Sequence, residues 1–139
     1  MNRQPWPNGF DVAQIRISRP TDRLDAVIGF YETDLGLLRI GDFVDHAGWD
    51  GVMLGLPGTD VHLEFTSHVD GTPCPAPTSE NVVVLYFPDE SAMSTAAERM
   101  TAAGHDPVEL DNPYWAANGG VAFEDPDGWR VLLMPTALV

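Results

Sequence analysis

Polar and apolar residues alternate from Phe10 to Ser18, with Ala13, Ile15 and Ile17 on one face and Val12, Gln14 and Arg16 on the other. A period of two predicts a half-buried β-strand. Pro20 ends that strand, and Thr21 and Asp22 offer helix caps. The period then changes. Leu24, Val27, Ile28, Tyr31 and Leu35 recur at helical spacing until Gly36, which predicts an amphipathic helix packing one face downward. Three further strands fit the rest of this half, at about 37–44, 51–56 and 60–66, the last two joined by Pro57-Gly58-Thr59.

The second half repeats the order. After a proline-rich stretch, 72–77, Val82 to Phe87 makes a short apolar strand, and Asp89 or Ser91 can cap a helix carrying Met93, Ala96, Ala97, Met100 and Ala103 and closed by Gly104. Next come a short strand around Pro107 to Leu110 and an irregular loop, Asp111-Asn112-Pro113-Tyr114-Trp115. Two strands, Gly120 to Glu124 and Trp129 to Met134, are hinged at Asp125-Pro126-Asp127-Gly128. Each half therefore reads βαβββ. Repetition of one element order is a duplication signal, because each half leaves a sheet face bare until the other covers or completes it. A single α+β domain over residues 1–139 is expected, with one module at about 10–66, a linker at 67–80 and a second module at about 81–135.

Composition narrows the function classes. With 139 residues and 44% hydrophobic positions, the chain can bury a core without disulfide or metal staples. A formal charge of −14, with seven arginines and no lysine, repels phosphate backbones and anionic lipids, so neither nucleic acid nor membrane is an expected partner. The same field would draw in a cationic ligand, although acidity also serves plain solubility. No leader-like segment and no apolar run long enough to cross a bilayer is visible, so a soluble, cytoplasmic protein is expected. Cys74 is alone in its proline-rich linker and reads as an incidental thiol. No phosphate loop, nucleophile elbow, zinc-protease helix or cysteine pair occurs, which removes kinase-like, elbow-hydrolase and zinc-protease mechanisms.

Two segments resemble the vicinal-oxygen-chelate superfamily of glyoxalases, bleomycin-resistance proteins and dioxygenases. Leu24-Asp25-Ala26-Val27-Ile28-Gly29-Phe30-Tyr31, followed by Leu35-Gly36-Leu37, is similar to that family's first helix, and Phe123 to Leu133, with its Asp125-Pro126-Asp127-Gly128 turn, is similar to its closing hairpin. The resemblance implies two βαβββ modules forming a cupped mixed sheet, with helices on the convex face and ligand or metal chemistry on the concave face. It also implies homodimers that often share pockets across subunits. In the family's enzymes one metal ligand usually comes from the first and one from the last strand of each half. Carried over to this chain, those positions are about Val12, Glu64, Val82 and Leu132. Valine and leucine have no electron-pair donor, so neither a metal nor another cofactor is expected. Asp11, Gln14, His62 and Asn81 lie close in sequence, but a one-residue slip would turn a ligand onto the helix-packed face.

Period-two reading puts Val61, Leu63 and Phe65 on the helix-packed face and His62 and Glu64 together on the other. Glu64 is the candidate general base, metal ligand or counter-ion. Against these stands an ordinary solvated glutamate. His62 is read as its partner or a rim residue. Gln14 and Arg16 share the concave side of the first strand with Val12, and Arg16 either pairs with Glu64, the reading preferred, or holds an anionic group of a ligand. Tyr114 and Trp115 could wall a pocket mouth or a dimer seam, and the resemblance places Trp49 and Phe43 similarly. His46, His68 and His105 are read as surface histidines. The leading expectation is a metal-free glyoxalase/bleomycin-resistance-like protein that binds a small organic ligand in its cup. The alternatives are a lyase, isomerase or dioxygenase of the same family acting through Glu64, and a dimerising scaffold whose cup has collapsed.

Overall fold

The computed structural model describes residues 5–136. The first half holds β1 (Ile15–Pro20), α1 (Leu24–Ile28), β2 (Leu38–His46), β3 (Trp49–Gly55) and β4 (Val61–His68). The second holds β5 (Val82–Tyr86), α2 (Glu90–Ala102), α3 (Pro113–Ala117), β6 (Val121–Glu124) and β7 (Arg130–Met134). Two mixed sheets result. One has the order β1-β4-β3-β2, with β1 parallel to β4, and the other β5-β7-β6, with β5 parallel to β7. β1 and β5 are both edge strands, and the two sheets are not hydrogen-bonded to each other.

Both sheets bury one face in the same core. Leu63 and Phe65 of β4 and Val52 and Leu54 of β3 pack in one cluster with Val27, Phe30 and Tyr31 and with Met93, Met100, Phe123, Val131 and Leu133 of the second half. The expected helix over Leu24 to Leu35 is α-helical only to Ile28, and Gly29–Asp34 winds as a π-helical turn, the Leu35 N–H donating to the Phe30 carbonyl at 2.9 Å. That widened turn sets two adjacent rings, Phe30 and Tyr31, into the core together, which neighbouring residues of a regular α-helix do not readily achieve. Gly36 closes the element with φ +90°, and Asp89 caps α2 by accepting from the Ala92 N–H at 2.8 Å.

Four expectations are corrected. The first strand runs from Ile15, not Phe10, because β4, its one partner among the described residues, begins at Val61. The Ile15 N–H donates to the Asp60 carbonyl at 2.8 Å, and nothing lies opposite residues 10–14 to continue the ladder. Its apolar face is not half-buried: Ile15 and Ile17 are 39% and 55% exposed, since no helix among the described residues covers the edge strand. The strand expected at 107–110 shrinks to a single bridge between Val108 and Ala122, beside a proline that has no N–H to donate. The loop that follows contains α3, whose Asn112 accepts from the Tyr114 N–H at 3.0 Å and whose Pro113 occupies the first turn.

Candidate functional site

The face of the first sheet turned away from the core carries its polar chemistry. β1 runs parallel to β4 with Arg16 opposite His62 and Ser18 opposite Glu64, so their side chains share one face. Arg16 Nε donates to His62 Nε2 at 2.8 Å, and its NH1 reaches Glu64 Oε2 at 3.2 Å. Ser18 Oγ donates to Glu64 Oε1 at 2.7 Å. The pairing of Arg16 with Glu64 matches the preferred reading. Met53 stands opposite Glu64 on β3, and the Phe43 ring lies over Gly51, where an added Cβ would meet it at 2.3 Å. Trp49 packs edge-on against His68 at 4.9 Å, so His68 is half-buried.

The corresponding face of the second sheet is largely apolar, with one ion pair, Arg130–Glu124 at 3.0 Å, at its end. Ala122, Leu132 and Met134 form a second cluster with Val82, Val84, Val108, Leu110 and Trp115. A cavity of about 410 Å³ opens on it, lined by Val108, Leu110, Asn112, Trp115, Ala122 and Leu132. Trp115 forms its wall, while Tyr114 packs edge-on at 5.2 Å and remains 49% exposed. The candidate residues thus fall into two groups: Arg16, Trp49, His62 and Glu64 on one sheet, and Val82 and Leu132 on the other, with Trp115 of α3 packed against them. Gln14 joins His62 at a smaller groove on the first sheet. Val12 precedes β1, and the first-strand residues beside Glu64 are Arg16 and Ser18.

The superfamily's metal does not fit these residues. Among the described residues no group of three His, Cys, Asp or Glu side chains could hold an ion. The two donors that do meet, His62 and Glu64, are both engaged by the Arg16 guanidinium, a cation that cannot be deprotonated. Val82 and Leu132 would bring no donor from either sheet. Glu64 is therefore an ion-pair partner whose two oxygens each already accept a hydrogen bond.

Where the halves meet, the Asp125-Pro126-Asp127-Gly128 turn is a structural clasp that was not anticipated. Arg19, on the core-facing side of β1, donates to Asp125 at 2.5 Å and to Asp127 at 2.8 Å, with its guanidinium 4.9 Å from the Phe65 ring and 5.3 Å from that of Trp129. Thr21 donates to Asp127 at 2.6 Å, and buried Tyr31 donates to Asp125 at 2.6 Å. Across the same junction His105 meets Asp34 at 2.7 Å and packs on Phe30, so it is an inter-module contact, not the surface residue expected. Burial, then the Asp125 carboxylate, holds the Tyr31 hydroxyl well above the ordinary tyrosine range. Burial alone would lower the Arg19 pKa, but Asp127 and Asp125 offset it and raise the value. Tyr31 is thus kept protonated by folding, so its contribution is present below pH 10.0, its unfolded value, and lost as pH rises towards its folded value. Tyr31→Phe is expected to cost about 1–2 kcal/mol at pH 7 and to flatten the alkaline fall in stability, measured by denaturant titration between neutral and alkaline pH.

Two related halves, one βαβββ and the other with its third strand reduced to a bridge, whose helices share one core and whose opposite sheet faces carry the polar cluster and the cavity, define a glyoxalase-fold protein of the vicinal-oxygen-chelate superfamily. The chain belongs to the YycE-like family, matching its N-terminal domain over residues 15–66 and its C-terminal domain over residues 80–135. It is 48% identical over 127 residues to the uncharacterized protein YycE of Bacillus subtilis (strain 168), covering 91% of each chain. The crystal structure of a B. subtilis YycE protein of unknown function, described as a candidate glyoxalase/fosfomycin resistance protein, superposes with a TM-score of 0.87 at 46% identity, over 94% of this chain and 95% of that one. TnmS3, an antibiotic binding protein from Streptomyces sp. CB03234, shares the fold alone, with a TM-score of 0.64 at 19% identity over 92% of this chain and 98% of that one. No helix among the described residues is long and apolar enough to cross a membrane.

Proposed function

We propose that this protein is a metal-free binder of a small organic molecule, of the glyoxalase/bleomycin-resistance type, working as a cytoplasmic homodimer. The observation that carries the reading is the Arg16 guanidinium seated between His62 and Glu64, the two side chains that could have begun a metal site. A cation supplied by the chain neutralises the carboxylate, and apolar Val82 and Leu132 face outward from the other sheet. Ligand sites are largely apolar with a few placed polar groups, and the Trp115-walled cavity of about 410 Å³ lies in the usual size range. That TnmS3, of the same fold, is an antibiotic binding protein accords with this use of the architecture.

The two open edges support the dimer reading. β1 of one copy laid against β5 of a second would join the polar face of the first sheet to the apolar face of the partner's second sheet, making one cup from two half-sites. Ile15 and Ile17 gain cover in the same step. The Arg16–Glu64 pair and the chain's net charge of −14 favour an uncharged or cationic ligand over an anion. A single unpaired cysteine is compatible with a reducing compartment. Catalysis with Glu64 as base is less well supported, because Ser18 and Arg16 already occupy its oxygens.

Calorimetric titration with Mn²⁺, Ni²⁺ and Zn²⁺ tests the metal-free reading. No stoichiometric heat is expected. Tight one-to-one uptake that disappears in Glu64→Gln would overturn it.

A further inference from the structure

β5 is an edge strand, and just past its end the Phe87 N–H donates to the Met134 carbonyl of β7 at 2.9 Å. The direction of N–H and C=O alternates along a strand, so Leu85 faces β7 in the same way. Val84 and Tyr86 therefore turn their N–H and C=O groups to the open edge, where no described residue bonds them. Along that edge lies a cavity of about 460 Å³ between the two halves, lined by Val84, Leu85, Tyr86 and Phe87 together with Leu37 and Leu56 of the first half. Side chains on one face of a strand recur at every second position, so four consecutive residues line one space only when it follows the strand's edge. Unpaired backbone groups beside apolar walls are what one further strand would satisfy.

The segment leading into β1 is the counterpart. The Ile15 N–H donates to the Asp60 carbonyl at 2.8 Å, so odd-numbered residues of β1 bond β4 and even-numbered ones face the free edge. Upstream, Phe10 to Gln14 carry the same polar and apolar alternation but pair with no strand among the described residues. Phe10 is 54% exposed, and Ala13 and Gln14 are exposed as well. Alternation specifies one covered face, and here the single chain supplies no cover.

Resting on the homodimer reading above, we infer that residues 10–14 of each copy enter the inter-module cavity of the other and extend β1 antiparallel along β5, with Gln14 opposite Val84 and Val12 opposite Tyr86. In this register the backbone groups left free on one edge meet those left free on the other, and Arg16 falls opposite Val82. A shift by one residue would set free groups against groups already bonded. Residues directly opposite each other share a face, so Gln14 arrives beside Val84, which packs on the outward cluster of Ala122, Leu132 and Met134. Each largely apolar half-site thereby gains a carboxamide from the second copy.

Amide hydrogen exchange of the full chain, followed at residues 10–14 above and below the dimer dissociation constant, reads this pairing. The Val12 and Gln14 amides should exchange at least about tenfold more slowly in the dimer, while Ala13, whose N–H points away from the seam, should not change. Gln14→Pro removes an N–H that no described residue uses, and it should raise the dissociation constant about tenfold or more because the seam occurs twice. Ala13→Pro is the control and should stay within about threefold of wild type. Chains with Gln14→Cys mixed with chains with Val84→Cys, each also carrying Cys74→Ser, should form a disulfide between unlike chains, because the opposed Cα atoms would lie about 5.5 Å apart. If light scattering shows a dimer in which the Val12 and Gln14 amides exchange freely, or if the two proline variants lose association equally, the inference is overturned and the dimer reading stands. A protein that is monomeric at every concentration overturns both.

Discussion

Replacing Asp125 with alanine is expected to destabilise the protein by about 3–5 kcal/mol, because it breaks a buried ion pair by removing one partner and leaves the other charge unpaired. Asp125 is 4% exposed, and its carboxylate accepts from Arg19 at 2.5 Å, from Tyr31 at 2.6 Å and, through its second oxygen, from the backbone N–H groups of Asp127 and Trp129 at 2.8 and 3.0 Å. Without it, Arg19 keeps only Asp127 as an acidic partner, the Tyr31 hydroxyl loses its acceptor, and the turn between β6 and β7 loses both internal caps. Thermal unfolding at neutral pH should show a midpoint lowered by about 10 °C. Asp125→Asn should fall between wild type and alanine, since its amide oxygen can still accept from the turn but presents no charge to Arg19. A midpoint within about 2 °C of wild type for Asp125→Ala would mean that the junction between modules contributes little. The variant with both Arg19→Met and Asp125→Leu should recover part of the loss, as apolar replacement of both members of a buried pair often does.

How far the sequence revealed this arrangement depends on which kind of information each feature needed. Hydrophobic period sufficed for the duplicated order of elements, apart from the strand at 107–110 that shrinks to a bridge, because each strand and helix must present one face to a core shared by both halves. It also set the parity of the strands correctly: even-numbered residues of β1 and β4 do share the outward face. Parity, however, says nothing about position along the strand. Val12 and Arg16 are equivalent under a period of two, and only the start of β4 at Val61 decides that Arg16 stands beside His62. Arg19 carried a signal that went unused. A charged residue at an inward-facing position must find a buried partner, and the paired aspartates of the Asp125–Gly128 turn were the acids available. α3 was announced by Asn112-Pro113, a cap followed by a first-turn proline, but was hidden by the aromatic residues that follow it. The exposure of Ile15 and Ile17 could not be read from a period of two, because alternation marks which face a residue takes and not whether any element covers that face at the edge strand.

That exposure leads to the prediction with the widest consequence. Ile17→Lys is expected to convert a dimer into a monomer while leaving the fold of the single chain intact. Ile17 is 55% exposed on an edge strand and belongs to no described core cluster, so the substitution removes little intramolecular packing. In the proposed dimer, with β1 against the partner's β5, the same position would be enclosed, and a lysine there would either bury its ammonium or prise the edges apart. The cost to association is about 3 kcal/mol or more, roughly a hundredfold in the dimer dissociation constant. Light scattering behind size exclusion reads the change in mass, and circular dichroism confirms that the monomer remains folded. Ligand affinity should fall with it, because a monomer holds the Arg16–His62–Glu64 face and the Leu132 face on separate sheets with no shared cup. If Ile17→Lys stays dimeric, the β1 edge is not the seam. A wild-type protein that is monomeric at the concentrations where it binds ligand would place the whole site within one chain, leaving the cavity at Trp115 and the groove at His62 as two independent sites.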